Sequence, residues 1–234
     1  MVVMEIAQSV ILITAAGSPI GKAISLHFAS LGAFIALVDI DKTRLDQTYR
    51  ACMAIGAKCQ AFHLEDQQEA NIRHIFEQTQ QQLGAIDVLI NYWIGTELPT
   101  LFSPYSVDKF SHSMTELATT FFAFGKQAAN YMRQHNRKGV IVNLTTHSTE
   151  NEHHPGFGGT KAMISGLTQS WAKELSAFNI RVGGVAPISI GCDCDDCQSH
   201  QSMNQHLQYE IVRSAEYIVA NDYFNGRTLE AEVS

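Results

Sequence analysis

Residues 143–161 read NLTTHSTENEHHPGFGGTK and gather many of the side chains that can move a proton. The stretch leaves an apolar run (Val140, Ile141, Val142), crosses a polar loop and enters a helix carrying Lys161. The loop offers hydroxyls at Thr146 and Ser148 and imidazoles at His147, His153 and His154. Histidine titrates near neutral pH and can act as acid or base. Three solvated loop histidines are the plainer reading, because nothing in the sequence fixes their orientation. A second group, Cys192, Cys194, Cys197 and His200, reads C-x-C-x-x-C-x-x-H and could hold zinc. Its spacing is tighter than paired C-x-x-C knuckles, and Asp193, Asp195 and Asp196 favour a solvated loop, so no metal is assigned. A third group, AAGSPIG at 15–21, follows the apolar run Val10–Thr14 with small residues. Such a strand-to-helix turn lets a backbone approach a phosphate closely and aim N–H groups at it.

Apolar runs alternating with helical periodicity must position these groups. Val10–Thr14, Phe34–Val38, Lys58–His63, Ile86–Asn91, Gly139–Thr145, Ile180–Ala186 and Thr228–Val233 read as strands. Ile20, Ala23, Ile24, His27, Phe28 and Leu31 fall at helical spacing before Gly32. Asp41 caps a helix running to about Ile55, and Asp66 starts one through Leu83. Ser106 caps a long helix to about Asn136, a further helix spans about 157–177, and a short one covers about 209–220. Residues 191–208 read as a polar loop. This alternation predicts an α/β fold: a Rossmann-like, doubly wound parallel sheet between two helix layers, as a single domain over 1–234.

The chain has 234 residues, 45% of them hydrophobic and 17% charged, enough for a sizeable core. Its net charge of −7 and lack of a basic block give nucleic acid or an anionic membrane no electrostatic purchase. No apolar run is long enough to span a bilayer. The start, MVVMEIAQSVILITAAG, reads as a lead-in and a strand, not a signal peptide. Five cysteines, an odd and sparse set, suit a reducing cytoplasm.

These pieces resemble, in order, the short-chain dehydrogenase/reductase family. ITAAGSPIG resembles its phosphate loop and VDID its cofactor-selecting acid. LGAIDVLIN resembles its fourth strand and GVIVNLTT its fifth. FGGTKAMISGLTQSWAKEL resembles its active-site helix, NIRVGGVAP the strand and turn covering the nicotinamide, and NGRTLEAE its last strand. The resemblance implies cofactor-binding positions at Thr14, Gly17, Ile20, Gly21, Asp39, Asn91, Lys161 and Pro187. Against the family's T-G-x-x-x-G-x-G, Thr14 and Gly21 match, whereas Ala15 and Pro19 stand where glycines are expected. Asp39, seconded by Asp41, would accept ribose hydroxyls and repel a 2′-phosphate, which favours NAD(H) over NADP(H). The plainer alternative is that Asp41, and less directly Asp39, simply caps a helix. Tyr92 and Trp93 replace small residues after Asn91, and either stack on a ligand or fill the cleft.

For the chemistry, the resemblance implies catalytic positions at Thr146, Phe157 and Lys161. Lys161 matches the family's lysine. Phe157 occupies the tyrosine's place four residues earlier and has no ionisable proton. Thr146, or nearby Ser148, stands near the serine, and Leu117 replaces an asparagine. A second Tyr-x-x-x-Lys, Tyr105 to Lys109, precedes the long helix and is explained by Ser106 as a helix cap. Two functions follow. One is an NAD(H)-binding family member whose carbonyl/alcohol hydride transfer is lost or strongly impaired, a pseudoenzyme. The other is an active NAD(H)-dependent oxidoreductase using a relocated acid on a small carbonyl or alcohol. The resemblance also implies a homodimer or homotetramer through the helices flanking the fifth strand, because Phe121, Phe122 and Phe124 cannot all point inward.

Overall fold

The structure is a computed structural model that describes residues 5–93, 102, 104–145, 155–189 and 197–233; side chains are described at all of these except 155–158, 188–189, 197–204 and 232–233. The order is β1 (Val10–Thr14), α1 (Pro19–Ser30), β2 (Phe34–Asp39), α2 (Lys42–Ala54), β3 (Cys59–His63), α3 (Glu69–Gln82), β4 (Ile86–Tyr92) and α4 (Val107–Gln134), then β5 (Val140–Leu144), α5 (Pro155–Leu175), β6 (Arg181–Ser189), α6 (Cys197–Ala220) and β7 (Thr228–Val233). A 3₁₀ turn, Ser176–Phe178, follows α5.

The strands form one seven-stranded sheet in the order β3-β2-β1-β4-β5-β6-β7. Every pairing is parallel. Continuous apolar strands produce this because helices cover both faces. Along β1, Ile11 and Ile13 enter one buried cluster with Ile24 and Phe28 of α1 and Ile211 and Ile218 of α6. Val10 and Leu12 enter the other, with Ile72 of α3, Phe121 and Phe124 of α4 and Trp171 of α5. The strand order reverses between β1 and β4. In a doubly wound sheet that reversal opens a crevice at the carboxyl ends of the strands, where ligands bind.

The caps are local. Asp41 Oδ1 accepts the Arg44 N–H at 3.0 Å, and Ser106 Oγ accepts the Lys109 N–H at 3.2 Å. Two helix starts differ from the sequence reading. Helix α3 begins at Glu69, because Asp66 turns its carboxylate onto the Gln68 N–H and the Asn71 side chain, closing a turn ahead of the helix. Helix α6 begins at Cys197, twelve residues before the expected start at about 209, so much of the polar run is helical. Leu207, Ile211 and Val212 anchor it against the sheet. Tertiary packing of that face overrides the polar, serine- and glutamine-rich composition.

Arg181, at the head of β6, ties down the far end of α6. Its guanidinium donates to the carbonyls of Ile218 (2.8 Å), Val219 (2.9 Å) and Phe224 (3.2 Å), and Asp222 lies 3.7 Å away. Cationic donors satisfy carbonyls that a helix C-terminus leaves open. Replacing it, Arg181→Met, is expected to cost about 3 kcal/mol by stranding those carbonyls, read as a lower urea midpoint at unchanged slope. A change below about 0.5 kcal/mol would remove Arg181 from the list of anchors. Among the described residues, no helix is long and apolar enough to cross a membrane.

Candidate functional site

The crevice is built first by the turn after β1. Ala15 sits at φ 48°, in the left-handed region that costs an alanine about 1 kcal/mol. Two contacts hold it there. Ser18 Oγ donates to the Ala15 carbonyl at 2.7 Å and accepts the Gly21 N–H at 2.9 Å, which makes Ser18 the N-cap of α1. Pro19 occupies the first helical position, where its missing N–H is not needed. The Lys22 N–H goes to the Ser18 carbonyl. That leaves the Ile20 amide as the first-turn donor open to a ligand. A Cβ on Gly21 would stand 2.1 Å from the Ala15 carbonyl oxygen, so the turn and helix touch where only glycine fits.

Asp39, 7% exposed at the end of β2, faces this turn. Its Oδ2 accepts the Gly17 N–H at 2.7 Å and its Oδ1 the Asp41 N–H at 2.8 Å. Two of the carboxylate's roughly four acceptor sites therefore fix the turn, and the others remain for hydroxyl groups. Gly17 also lies against α2, since a Cβ there would come within 2.7 Å of Arg44 Cβ. The Arg44 Nε pairs with Asp41 at 3.2 Å.

Opposite, the carboxyl end of β4 is stitched to β1. Thr14 Oγ1 donates to the Tyr92 carbonyl at 2.7 Å and accepts the Tyr92 N–H at 2.8 Å. Asn91 is fully buried, and its Nδ2 donates to the Phe121 carbonyl of α4 at 3.0 Å. Both side chains thus position the crest rather than project from it. Tyr92 and Trp93 are 3% and 6% exposed and belong to opposite cores. The Trp93 ring packs 5.3 Å from that of Phe124. Of the two roles open to these aromatics, the structure has them filling space. Burial pushes the Tyr92 phenol well above its ordinary range, so it stays protonated at neutral pH and is no base.

The chemical end centres on α5. Thr146, His147, Ser148, His153 and His154 lie outside the described residues, as do Cys192 and Cys194. Phe157 lies in the first turns of α5, and Cys197 and His200 open α6. Lys161 is one helical turn beyond Phe157 on the same face. Its Nζ donates to Glu230 Oε1 of β7 at 2.9 Å, with the two side chains 39% and 59% exposed. Glu230 pairs in register with Ala186, the residue before Pro187, which is buried. Leu117 is 6% exposed in the apolar layer under α4. The pair Tyr105 and Lys109 stands at the start of α4, the ammonium 3.4 Å from the ring centroid, as a local cation–π contact.

Sequence reasoning missed Glu230. The available signal was an acid set in a strand whose neighbours Leu229 and Ala231 turn to the other face. Nothing local ties it to a lysine 69 residues away.

A family model described as short chain dehydrogenase matches residues 9–202. The 3-oxoacyl-[acyl-carrier-protein] reductase FabG of Thermotoga maritima is 32% identical over 186 residues, covering 79% of this chain and 75% of that one. The 7alpha-hydroxysteroid dehydrogenase of Escherichia coli (strain K12) is 29% identical over 184 residues, covering 78% and 71%. Among solved structures, NAD+-bound xylitol dehydrogenase superposes with a TM-score of 0.79 at 22% identity, covering 97% and 98% of the two chains.

Proposed function

Given that the chain belongs to the short-chain dehydrogenase family, we propose that it binds a nicotinamide dinucleotide across the β1–β4 crest, with its proton-transfer machinery strongly impaired. Bound there, the cofactor supplies hydride donor and acceptor chemistry. The residues fit such a group. Gly21 guards a contact that a Cβ would fill, and the Ile20 amide is open at the N-terminus of α1. Ile20, Gly21 and the turn through Gly17 would hold the pyrophosphate. Asp39 would accept the adenine ribose hydroxyls, Lys161 would donate to the other ribose, and Pro187 would border the nicotinamide. Thr14 and Asn91 hold the crest that carries them. Arg44, the nearby cation, is engaged by Asp41, so the sum of Asp39, Asp41 and Arg44 is negative and favours NAD(H) over NADP(H).

The observation that carries the impaired reading is the identity of residue 157. Phenylalanine one turn before Lys161 has no proton to give, and the lysine's ammonium is turned to Glu230 instead. Loss of a positioned acid or base costs on the order of 10²–10⁴ in rate. The test is titration with NADH and NADPH, followed by a panel of small carbonyls and alcohols. Saturable NADH binding with turnover far below ordinary enzyme rates is the expected result, and ordinary turnover would reject the impairment. A second reading, an active oxidoreductase with a relocated acid such as His147, His153 or His154 or an ordered water, draws on the matched relatives, which are named as a reductase and a dehydrogenase. The panel separates the two.

The chain is further read as one cytoplasmic domain that assembles as a dimer or tetramer through α4 and α5. Phe121 and Phe124 are fully buried, whereas Phe122 is 49% exposed, 6.1 Å from the Trp171 ring. Phe122→Glu is expected to shift the particle toward the monomer mass by light scattering at micromolar concentration. A wild type already monomeric there would end this reading.

A further inference from the structure

We propose that Lys161 and Glu230 act together as a clamp for the vicinal diol of the nicotinamide ribose, with Glu230 as a binding residue contributed by β7. The inference rests on the dinucleotide reading above. A vicinal diol presents hydroxyl hydrogens that need acceptors and oxygens that need donors. An ammonium offers donors alone. In this chain Phe157 removes the phenol, so α5 presents no hydroxyl at that position. A carboxylate reaches the lysine from another element: Glu230 Oε1 of β7 accepts one Lys161 N–H at 2.9 Å. Two ammonium hydrogens and Glu230 Oε2 have no further partner among the described residues, and both side chains reach solvent. The pair thus faces outward with donors and acceptors side by side.

Its location fits the same ligand. Glu230 lies in register with Ala186, next to Pro187 at the carboxyl end of β6. The open Ile20 amide and the close-packed Gly21 belong to the turn at the carboxyl end of β1, three strands from β6 along the crest. A dinucleotide laid across the switch point would bring its two sugars to opposite sides of that turn. Asp39 of β2 stands on one side and Lys161 with Glu230 on the other. An exposed ion pair adds little to folding, so the positioning of this one is available for binding without a stability cost when altered.

The experiment compares wild type, Glu230→Ala, Lys161→Met and the double variant in fluorescence titrations with NADH, and with ADP measured by displacement. ADP lacks the nicotinamide ribose. Glu230→Ala is expected to weaken NADH by about two- to tenfold, the worth of one or two hydrogen bonds, while ADP affinity and melting temperature stay unchanged. In the Lys161→Met background the same change should shrink to less than about twofold, because the two groups act as a unit. Unchanged or tighter NADH binding by Glu230→Ala overturns the clamp and leaves the dinucleotide reading standing. An equal loss for ADP also overturns it, since the effect would not be on the second ribose. Failure of the wild type to bind NADH at all overturns the underlying reading and the clamp with it.

Discussion

Phe157→Tyr is expected to raise NADH-dependent reduction of the best carbonyl in the panel by about 10²-fold or more over wild type. The new phenol would stand one turn before Lys161, whose charge favours the phenolate and brings its pKa toward neutrality. Wild type offers no ionisable group at that position. The gain has a built-in opponent. Glu230 already holds the ammonium, and a carboxylate beside it reduces the lysine's pull on the phenol. Phe157→Tyr with Glu230→Ala should therefore show a lower pH optimum for reduction than Phe157→Tyr alone. Adding Leu117→Asn is a poorer route, because position 117 is 6% exposed in an apolar layer and an unpaired amide there costs about 1–3 kcal/mol. Initial rates across pH decide the matter. A Phe157→Tyr protein no faster than wild type, yet still binding NADH, would mean that the missing phenol is not what limits turnover.

Gly21→Val carries the second large effect, in the opposite direction. Any Cβ at position 21 meets the Ala15 carbonyl oxygen at 2.1 Å, the Ala15 carbonyl carbon at 2.9 Å and Ala16 Cα at 2.9 Å. All three are backbone atoms, so no side chain can swing aside. The turn must move as a body, breaking the Ser18 bridge between the Ala15 carbonyl and the Gly21 N–H. NADH affinity is expected to fall by more than about 10²-fold, with about 2–3 kcal/mol of folding stability lost to overpacking. Gly166→Ala on α5 is the matched control, with nothing within 4 Å of the added methyl. It should gain about 0.5–1 kcal/mol as an ordinary helical glycine replacement. Wild-type NADH affinity in a folded Gly21→Val protein would show that the turn does not contact the cofactor.

The sheet was readable because its strands are short runs of β-branched and aliphatic residues bounded by polar or glycine turns. Val10–Thr14 and Thr228–Val233 match their expected bounds, and Asp41 and Ser106 cap the helices they precede. Each depends on residues within a few positions of one another. The misjudged parts depend on distant partners. The polar run 197–208 becomes helix because Leu207, Ile211 and Val212 find the sheet. Asp39 was legible as an acid at the end of β2, but not as the acceptor of the Gly17 amide. Tyr92 and Trp93 follow one another at the end of β4. Successive strand residues leave on opposite faces, which already argued against both crowding one ligand. The Lys161–Glu230 contact joins a helix and a strand whose sequences carry no mutual signal.

Ala15 has a consequence for how a ligand is met. Glycine at that position would leave the unfolded and loosely folded chain many more backbone states, and alanine removes a share of them. In the native turn the Ser18 bridge holds Ala15 at φ 48° against its own preference, and so closes the other shapes. Its ordering entropy is then lost during folding rather than at the moment of association. Such a turn is pre-shaped, and its encounter with a phosphate should be governed by diffusion and charge, with little slow rearrangement afterwards.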